Sequence, residues 1–135
     1  MPTPQPAILA DVPPHARYLF FNLLPDAEPA DAFAALANLK IDGSLVVGLG
    51  DALVRSSGTS VDGLRTFPSL AGPGVQVPST PAALWIWLHA AERGDLVHRS
   101  RELDAVLADA FEIESVVEAF RHREGRDLTG YVDGT

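Results

Sequence analysis

A carboxylate enclosed by glycines near the C-terminal end of the sequence is the strongest candidate for chemistry. It is Asp133, in the run Gly130-Tyr131-Val132-Asp133-Gly134. Because glycine adopts backbone angles that other residues resist, such a loop can present a carboxylate to a cavity while its backbone approaches a flat ligand. Taken alone, the pattern is more typical of an ordinary Asp-Gly turn. Its interpretation therefore depends on the rest of the chain.

The sequence gives less support to a metal site or to a nucleophilic serine or cysteine. The histidines are His15, His89, His98 and His122. No two of them have metal-ligand spacing on one helix, and no HExxH motif occurs, so a metal site is not predicted. No serine lies in a G-x-S-x-G motif. The absence of cysteine excludes disulfides, iron–sulfur clusters and thiol nucleophiles.

Two further patterns have both a functional and a structural interpretation. Gly48-Leu49-Gly50 follows a predicted strand, but Leu53 occupies the third glycine position of a dinucleotide-binding loop, which favours a structural turn. Trp85 and Trp87 share one strand face because side chains alternate along a strand. They could relay an electron to a bulky substrate, although packing against a helix or a second domain is the more common role of such a pair.

Composition limits the class of protein. The 135 residues suffice for one domain with a real core, and 47% of them are hydrophobic. The net charge of −8 argues against binding to nucleic acid or to an anionic membrane surface. No apolar run is long enough to cross a bilayer. The N-terminal sequence carries no secretory pattern, so we expect a cytoplasmic protein.

The pattern of apolar residues predicts an α+β fold. Strands are expected at 15–23, 44–50, 83–90 and 111–121, and helices at 30–39 and 96–110, the second capped by Asp95. The order β-α-β-β-α-β is that of a ferredoxin-like domain with a four-stranded antiparallel sheet. Residues 58–81 are expected to form a long loop, which in a compact domain is more often functional than idle.

This order divides the chain into three parts: an extended proline-rich arm at 1–14, the ferredoxin-like domain at 15–124, and a glycine-rich loop at 125–135. In the last strand, Glu112, Glu114 and Glu118 are expected to form a single polar face, because they alternate with apolar residues.

Five collinear stretches resemble the dye-decolorising haem peroxidases, in particular the shorter cytoplasmic bacterial subgroup. They are VVGLGDALV, FPSLAGPGVQVPSTPAALWIWL, RGDLVHRSRELDAVL, FEIESVVEAFRH and GRDLTGYVDGT. The last stretch resembles the family's G-x-x-D-G region. No single stretch is decisive, but together they extend from about Pro6 to Thr135, and it is this collinear set that is specific.

The resemblance implies two ferredoxin-like halves with haem b held between them, and oxidation of dyes, phenolics or similar organic donors by hydrogen peroxide. It assigns Asp133 to the distal acid–base position, where a carboxylate takes a proton from one peroxide oxygen and gives it to the other. The cofactor-binding stretch implied is Val132, Asp133, Gly134 and Thr135. In this subgroup, the division of work between the aspartate and a distal arginine varies.

The family's proximal histidine and distal arginine lie in its C-terminal half, beyond Thr135. The four histidines present do not match the proximal position, so no metal ligand is assigned. We therefore expect a truncated, N-terminal portion of a peroxidase that is inactive alone and does not retain haem. The alternative is a non-catalytic, stand-alone ferredoxin-like module for binding or oligomerisation. A homo-oligomer is expected, and an encapsulating shell protein is a possible partner of the parent.

Overall fold

The computed structural model describes residues 3–132. A 3-10 helix at Pro6–Leu9 precedes β1 (His15–Leu23), α1 (Pro29–Ala37), β2 (Leu45–Leu49), α2 (Asp51–Ser56), β3 (Leu70–Gly72), β4 (Val75–Val77), β5 (Leu84–Ala90), α3 (Arg93–Leu107) and β6 (Phe111–Phe120). The four predicted long strands are confirmed to within one residue at each end. In the described part of the chain no helix is both long and apolar enough to cross a membrane.

The main sheet has the strand order β2-β5-β1-β6, and every neighbouring pair is antiparallel. The two strands that are adjacent in the centre, β1 and β5, are far apart in sequence, because each is followed by a helix that crosses to an outer strand. This is the ferredoxin-like arrangement, and the predicted α+β class is confirmed.

The core lies between one face of this sheet and the helices α1 and α3. On β5, Leu84, Ile86 and Leu88 are buried against the helices, whereas Trp85 and Trp87 point to the other face. The helix α3 contributes Leu96, Leu103 and Leu107 at helical spacing. One face of each element thus makes the core, and within residues 3–132 both long helices lie on that side of the sheet. We call the opposite face of the sheet the open face.

The prediction of a single polar face on β6 is wrong because the strand contains a β-bulge. Phe20 lies opposite Ser115, but the next residue, Phe21, lies opposite Ile113, which leaves Glu114 as an extra residue. The extra residue reverses the alternation. Glu118 therefore lies opposite Arg17, on the helix side of the sheet.

This change of side gives Glu118 two ion-pair partners. One of its carboxylate oxygens pairs with Arg17 and the other with Arg93, the first residue of α3. Arg17 also donates a hydrogen bond to the buried Ser100 hydroxyl at 3.2 Å, and Ser100 in turn donates to the Leu96 carbonyl. The edge strand β6 is thereby attached to the start of α3. These hydrogen bonds from the two arginines hold the pKa of Glu118 below its ordinary value of 4.5.

A lowered carboxyl pKa stabilises the fold only while the group is ionised. We expect Glu118→Gln to unfold at lower urea concentration than the native chain at neutral pH. The difference should disappear as the pH falls through the lowered pKa of Glu118, because both side chains are then uncharged. Urea unfolding from neutral pH down to about pH 3 measures this. Glu112→Gln, at an exposed position of the same strand, is the control, and equal effects of the two substitutions would contradict the prediction.

The N-terminal arm departs from the extended conformation predicted for it. Pro6–Leu9 forms a 3-10 helix that packs on β2, and Ala7 is buried. The side-chain amide of Gln5 donates to the Val47 carbonyl at 2.7 Å and accepts from the Val47 N–H at 2.8 Å. It thus pairs with the outer edge of β2 as a strand would, and it covers backbone groups that an edge strand otherwise leaves open.

Two smaller departures concern α3 and the long loop. The helix α3 begins at Arg93 with Glu92 as its N-cap, so Asp95 lies in the first turn rather than at the predicted cap. An acidic side chain in the first turn still interacts favourably with the positive, N-terminal end of the helix dipole. Within the predicted loop at 58–81, β3 and β4 form a two-stranded antiparallel hairpin.

Candidate functional site

The open face of the sheet carries an aromatic cluster. The Tyr18 ring stacks on Trp85, with centroids 5.7 Å apart and an angle of 13° between the rings, and it lies 5.9 Å from Trp87. The two tryptophan rings are 6.4 Å apart, so the expectation that they share a face is confirmed. Because the two long helices of residues 3–132 lie on the other side of the sheet, the rings of this cluster are partly exposed and can contact a second domain or a ligand.

A groove of about 220 Å³ lies at one end of the open face. It is bounded by the N-terminal arm, by β1 and β5, by the end of β6, and by the turn that follows β6. Its lining residues are Val12, Pro13, Ala16, Tyr18, Trp87, Ala119, Phe120, Arg121, His122, Gly125 and Arg126. Arg121 donates a hydrogen bond to the Val12 carbonyl at 3.3 Å, which fixes the arm to the end of β6. The groove is therefore lined by aromatic side chains and by two arginines.

The segment after β6 folds back on itself beside this groove. Arg126 and Val132 form an isolated antiparallel bridge, and the Asp127 N–H donates to the Tyr131 carbonyl at 3.0 Å. The Arg126 guanidinium donates to the Gly130 carbonyl at 3.0 Å. Gly130 has a φ of +96°, which explains a glycine at this point. Because Arg126 also lines the groove, the bridge brings the backbone at Val132 next to the groove.

Asp127 organises this loop, a role that the sequence analysis did not assign. Its carboxylate accepts hydrogen bonds from the Thr129 N–H at 2.9 Å and from the Thr129 hydroxyl. These bonds, the hydroxyl contributing most, hold the pKa of Asp127 below its ordinary value. The spacing Asp-x-Thr before a glycine is the signature of an Asx turn, and it could have identified the residue.

The predicted site lies at the limit of the described chain. Val132 is half exposed and takes part in the bridge. Asp133, Gly134 and Thr135 lie outside residues 3–132, so their predicted roles in catalysis and cofactor binding remain predictions. The described structure contributes the loop that precedes them and the groove beside that loop.

The four histidines do not gather at the groove: His89 and His98 instead line a second, more polar pocket together with Asp42, Asp95 and Glu102. His122 lines the groove, whereas His98 is exposed on α3. His89 lies on the open face with its ring 4.1 Å from Trp87, and burial lowers its pKa. Across residues 3–132, no group of three or more His, Asp or Glu side chains is placed to hold a metal ion.

The haem implied by the sequence resemblance is an apolar, planar group with two carboxylates. The aromatic face at Tyr18 and Trp87 suits its ring, and Arg121 and Arg126 are the residues beside it that could pair with carboxylates. The groove is nevertheless smaller than the roughly 300–1,000 Å³ of ordinary small-molecule sites. The described residues therefore fit one wall of a haem cavity, and the remaining walls must come from elsewhere.

Known proteins resemble this chain in both sequence and fold. No protein-family model matches the sequence. The dye-decolorizing peroxidase of Mycobacterium tuberculosis is 32% identical over 146 residues, an alignment that covers 98% of this chain and 43% of that protein. DypB of Rhodococcus jostii, solved as a variant in complex with heme, has a TM-score of 0.80 and 26% identity, and the match covers 96% of this chain and 47% of that one.

A third relative is the encapsulated DyP-type peroxidase of Mycobacterium smegmatis, with a TM-score of 0.77 and 25% identity. The match covers 100% of this chain and 48% of that one. The chain thus spans about half the length of the relatives that it matches.

Proposed function

Since the chain belongs to the dye-decolorising peroxidase family and spans about half the length of its relatives, we propose that it is the N-terminal half of a haem peroxidase. In this proposal 1–14 is an arm, 15–124 the first ferredoxin-like domain and 125–135 the distal haem loop. The similarity to peroxidases over 98% of the chain is the observation that carries the proposal. The groove beside Val132 supports it, because it adjoins the loop in which the distal residue is expected.

The open face is the surface that the second half of such a protein would cover. Tyr18, Trp85 and Trp87 project from it, and the two long helices α1 and α3 pack on the other face. A sheet with an apolar face away from its own helices is normally covered by another layer of structure. The aromatic cluster and the groove would then form one wall of the haem cavity.

When bound, haem supplies the iron centre at which hydrogen peroxide is reduced while an organic donor is oxidised. This chain's contribution is to position a carboxylate. Asp133 would accept a proton from one peroxide oxygen and return it to the other, so that the O–O bond breaks and water leaves. Asp127 holds the turn at Gly130 through its bonds to Thr129, and so fixes the loop that leads to Asp133.

The partners, substrates and cellular location of the full-length protein are part of the same proposal. The peroxidase of M. smegmatis is described as encapsulated, and a shell protein is accordingly a candidate partner of the full-length form of this chain. Such a protein would act in the cytoplasm, with hydrogen peroxide and a dye or phenolic compound as substrates. A homo-oligomeric state belongs to the same proposal.

Haem binding by the 135-residue chain itself tests the proposal directly. We expect no stoichiometric binding in a haem titration followed by absorbance. A chain that supplies only one wall of the cavity, and no proximal ligand to the iron, makes too few contacts with the cofactor. Both His122→Ala, in the groove, and its control His98→Ala should behave as the native chain does. A sharp one-to-one Soret band that His122→Ala alone abolishes would show that this chain carries a complete haem site and is not half of one.

A further inference from the structure

The N-terminal arm is attached to both outer strands of the main sheet. At one end the Gln5 side chain makes its reciprocal pair of hydrogen bonds with the Val47 backbone of β2, at 2.7 and 2.8 Å. At the other end Arg121, the residue after β6, donates to the Val12 carbonyl at 3.3 Å. Because β2 and β6 are the outermost strands, this part of the arm crosses one end of the sheet. We call residues 5–12 the strap.

Burial indicates on which side of the sheet the strap lies. Ala7 is 1% exposed, and the 3-10 helix that contains it contacts β2. Val46 of β2 lies opposite Trp87 and therefore points to the open face, yet it is only 5% exposed. Since the two long helices lie on the other side of the sheet, the burial of Ala7 and Val46 fits a 3-10 helix packed over this part of the open face.

The strap also bounds the groove, because Val12 lines it together with Tyr18 and Trp87. The Nε1 atom of Trp87 is buried, and within residues 3–132 no acceptor forms a hydrogen bond with it. A buried tryptophan N–H normally has a partner, and an unpaired donor in the interior is unfavourable. The closed position of the strap therefore leaves unmade a hydrogen bond that becomes possible when the groove opens.

Little buried surface holds the strap in place. Its apolar residues Ile8, Leu9 and Val12 are all more than half exposed. Most of its attachment to β2 thus comes from Ala7 and from the two hydrogen bonds of Gln5. A segment with few buried apolar contacts opens at a lower free energy than the whole domain. The strap can therefore open while the sheet and its core remain folded.

We propose that the strap is a movable closure over the groove and that Gln5 is its latch. When the Gln5–Val47 bonds break, residues 5–12 move away from the open face and a ligand reaches Trp87. The ligand class that this opening admits is a flat aromatic molecule with a hydrogen-bond acceptor, because Tyr18 and Trp87 offer ring faces and the Trp87 N–H offers a donor. This inference does not rest on the proposed peroxidase function, since it concerns contacts within the described chain and its test uses no haem.

Exchange of the indole N–H protons with water, followed by NMR on the 135-residue chain, measures the opening. Gln5→Ala should raise the exchange rate of the Trp87 N–H by roughly 10–100-fold, because two hydrogen bonds of the closed form are lost. The N–H of Trp85, outside the groove lining, and the backbone amide of Leu19, in the middle of the sheet, should exchange as in the native chain. Gln76→Ala, at an exposed position of β4, is the matched control and should change none of these rates.

Gln5→Glu tests the latch itself. At about pH 7 its carboxylate can accept from the Val47 N–H but has no proton to donate to the Val47 carbonyl, so the Trp87 N–H should exchange faster than in the native chain. At about pH 4, near the ordinary pKa of a glutamate side chain, a protonated carboxyl group can make both bonds. The ratio of the variant's rate to the native rate at the same pH should then fall toward one.

Three results would overturn the proposal. The first is a Gln5→Ala chain in which the Trp87 N–H exchanges at the native rate. The second is an equal acceleration of Trp87, Trp85 and Leu19, which would mean that the whole domain is loosened and that no separate closure exists. The third is a Gln5→Glu chain whose ratio to the native rate is the same at both pH values, since the latch would then not depend on the bond to the Val47 carbonyl.

Discussion

Replacing Asp133 with Asn, in the chain extended to the full length of its relatives, is expected to slow the reaction with hydrogen peroxide by about 10²–10⁴-fold. The substitution keeps the size of the side chain and the glycines of the loop but removes the carboxylate that we propose as the proton acceptor. General acid–base catalysis contributes a factor of this order. The loss should be greatest at pH values where the native carboxylate is ionised, because only that form accepts a proton. Stopped-flow mixing of the ferric enzyme with peroxide across pH measures it.

Asp127→Asn is the matched control, because it makes the same chemical change six positions earlier in the same loop. The Asp127 carboxylate accepts hydrogen bonds from Thr129, and an amide oxygen can still accept them. If Asp133 carries the proton, Asp127→Asn leaves the rate within a few-fold of native and Asp133→Asn does not. Identical rate–pH profiles for the native protein and Asp133→Asn would instead give Asp133 a structural or haem-positioning role, and the proton transfer would belong to an arginine or water.

The strands of this fold were predictable because their burial follows directly from sequence alternation. In β5, three buried aliphatic residues alternate with Trp85, Trp87 and His89, and a period of two allows only one set to face the helices. The bulge in β6 was not predictable in the same way. A β-bulge inserts one residue without a compositional mark at Glu114, and it transfers Glu118 from the expected polar face to a position between Arg17 and Arg93.

The candidate site was predictable only in part. Gly130 and Gly134 let the sequence predict a specialised loop, but the groove depends on residues that meet only after folding. Val12 of the arm and Tyr18 of β1 meet Trp87 of β5 there, although Trp87 is far from both of them in sequence. Neither spacing nor composition brings such residues together, because that convergence is a product of the strand order. The Asx turn at Asp127 is different, since its signature is local and can be read from the sequence.

Gly50→Ala is expected to lower the free energy of unfolding by about 3 kcal/mol, the upper end of the range for overpacking a well-packed site. Gly50 has a φ of −73°, which any residue adopts, so backbone conformation is not the reason for the glycine. The reason is a close approach of β2 to the start of β5. The Gly50 N–H donates to the Ala83 carbonyl at 2.9 Å, and a methyl group on Gly50 would lie 2.1 Å from the Ala82 carbonyl oxygen.

That oxygen belongs to the backbone and cannot rotate away, so either α2 or the segment before β5 must move, with loss of the bond to Ala83. Gly43→Ala is the control, because no atom lies within 4 Å of the added methyl group. It should leave stability unchanged or raise it by up to about 1 kcal/mol, since alanine restricts the unfolded chain. At Gly48 the nearest neighbour is the Trp85 ring at 3.3 Å, which can shift, so Gly48→Ala should fall between the two. Equilibrium urea unfolding ranks the three variants. If Gly50→Ala were as stable as Gly43→Ala, the backbone at Gly50 and Ala82 would be less closely packed than the distance of 2.1 Å indicates.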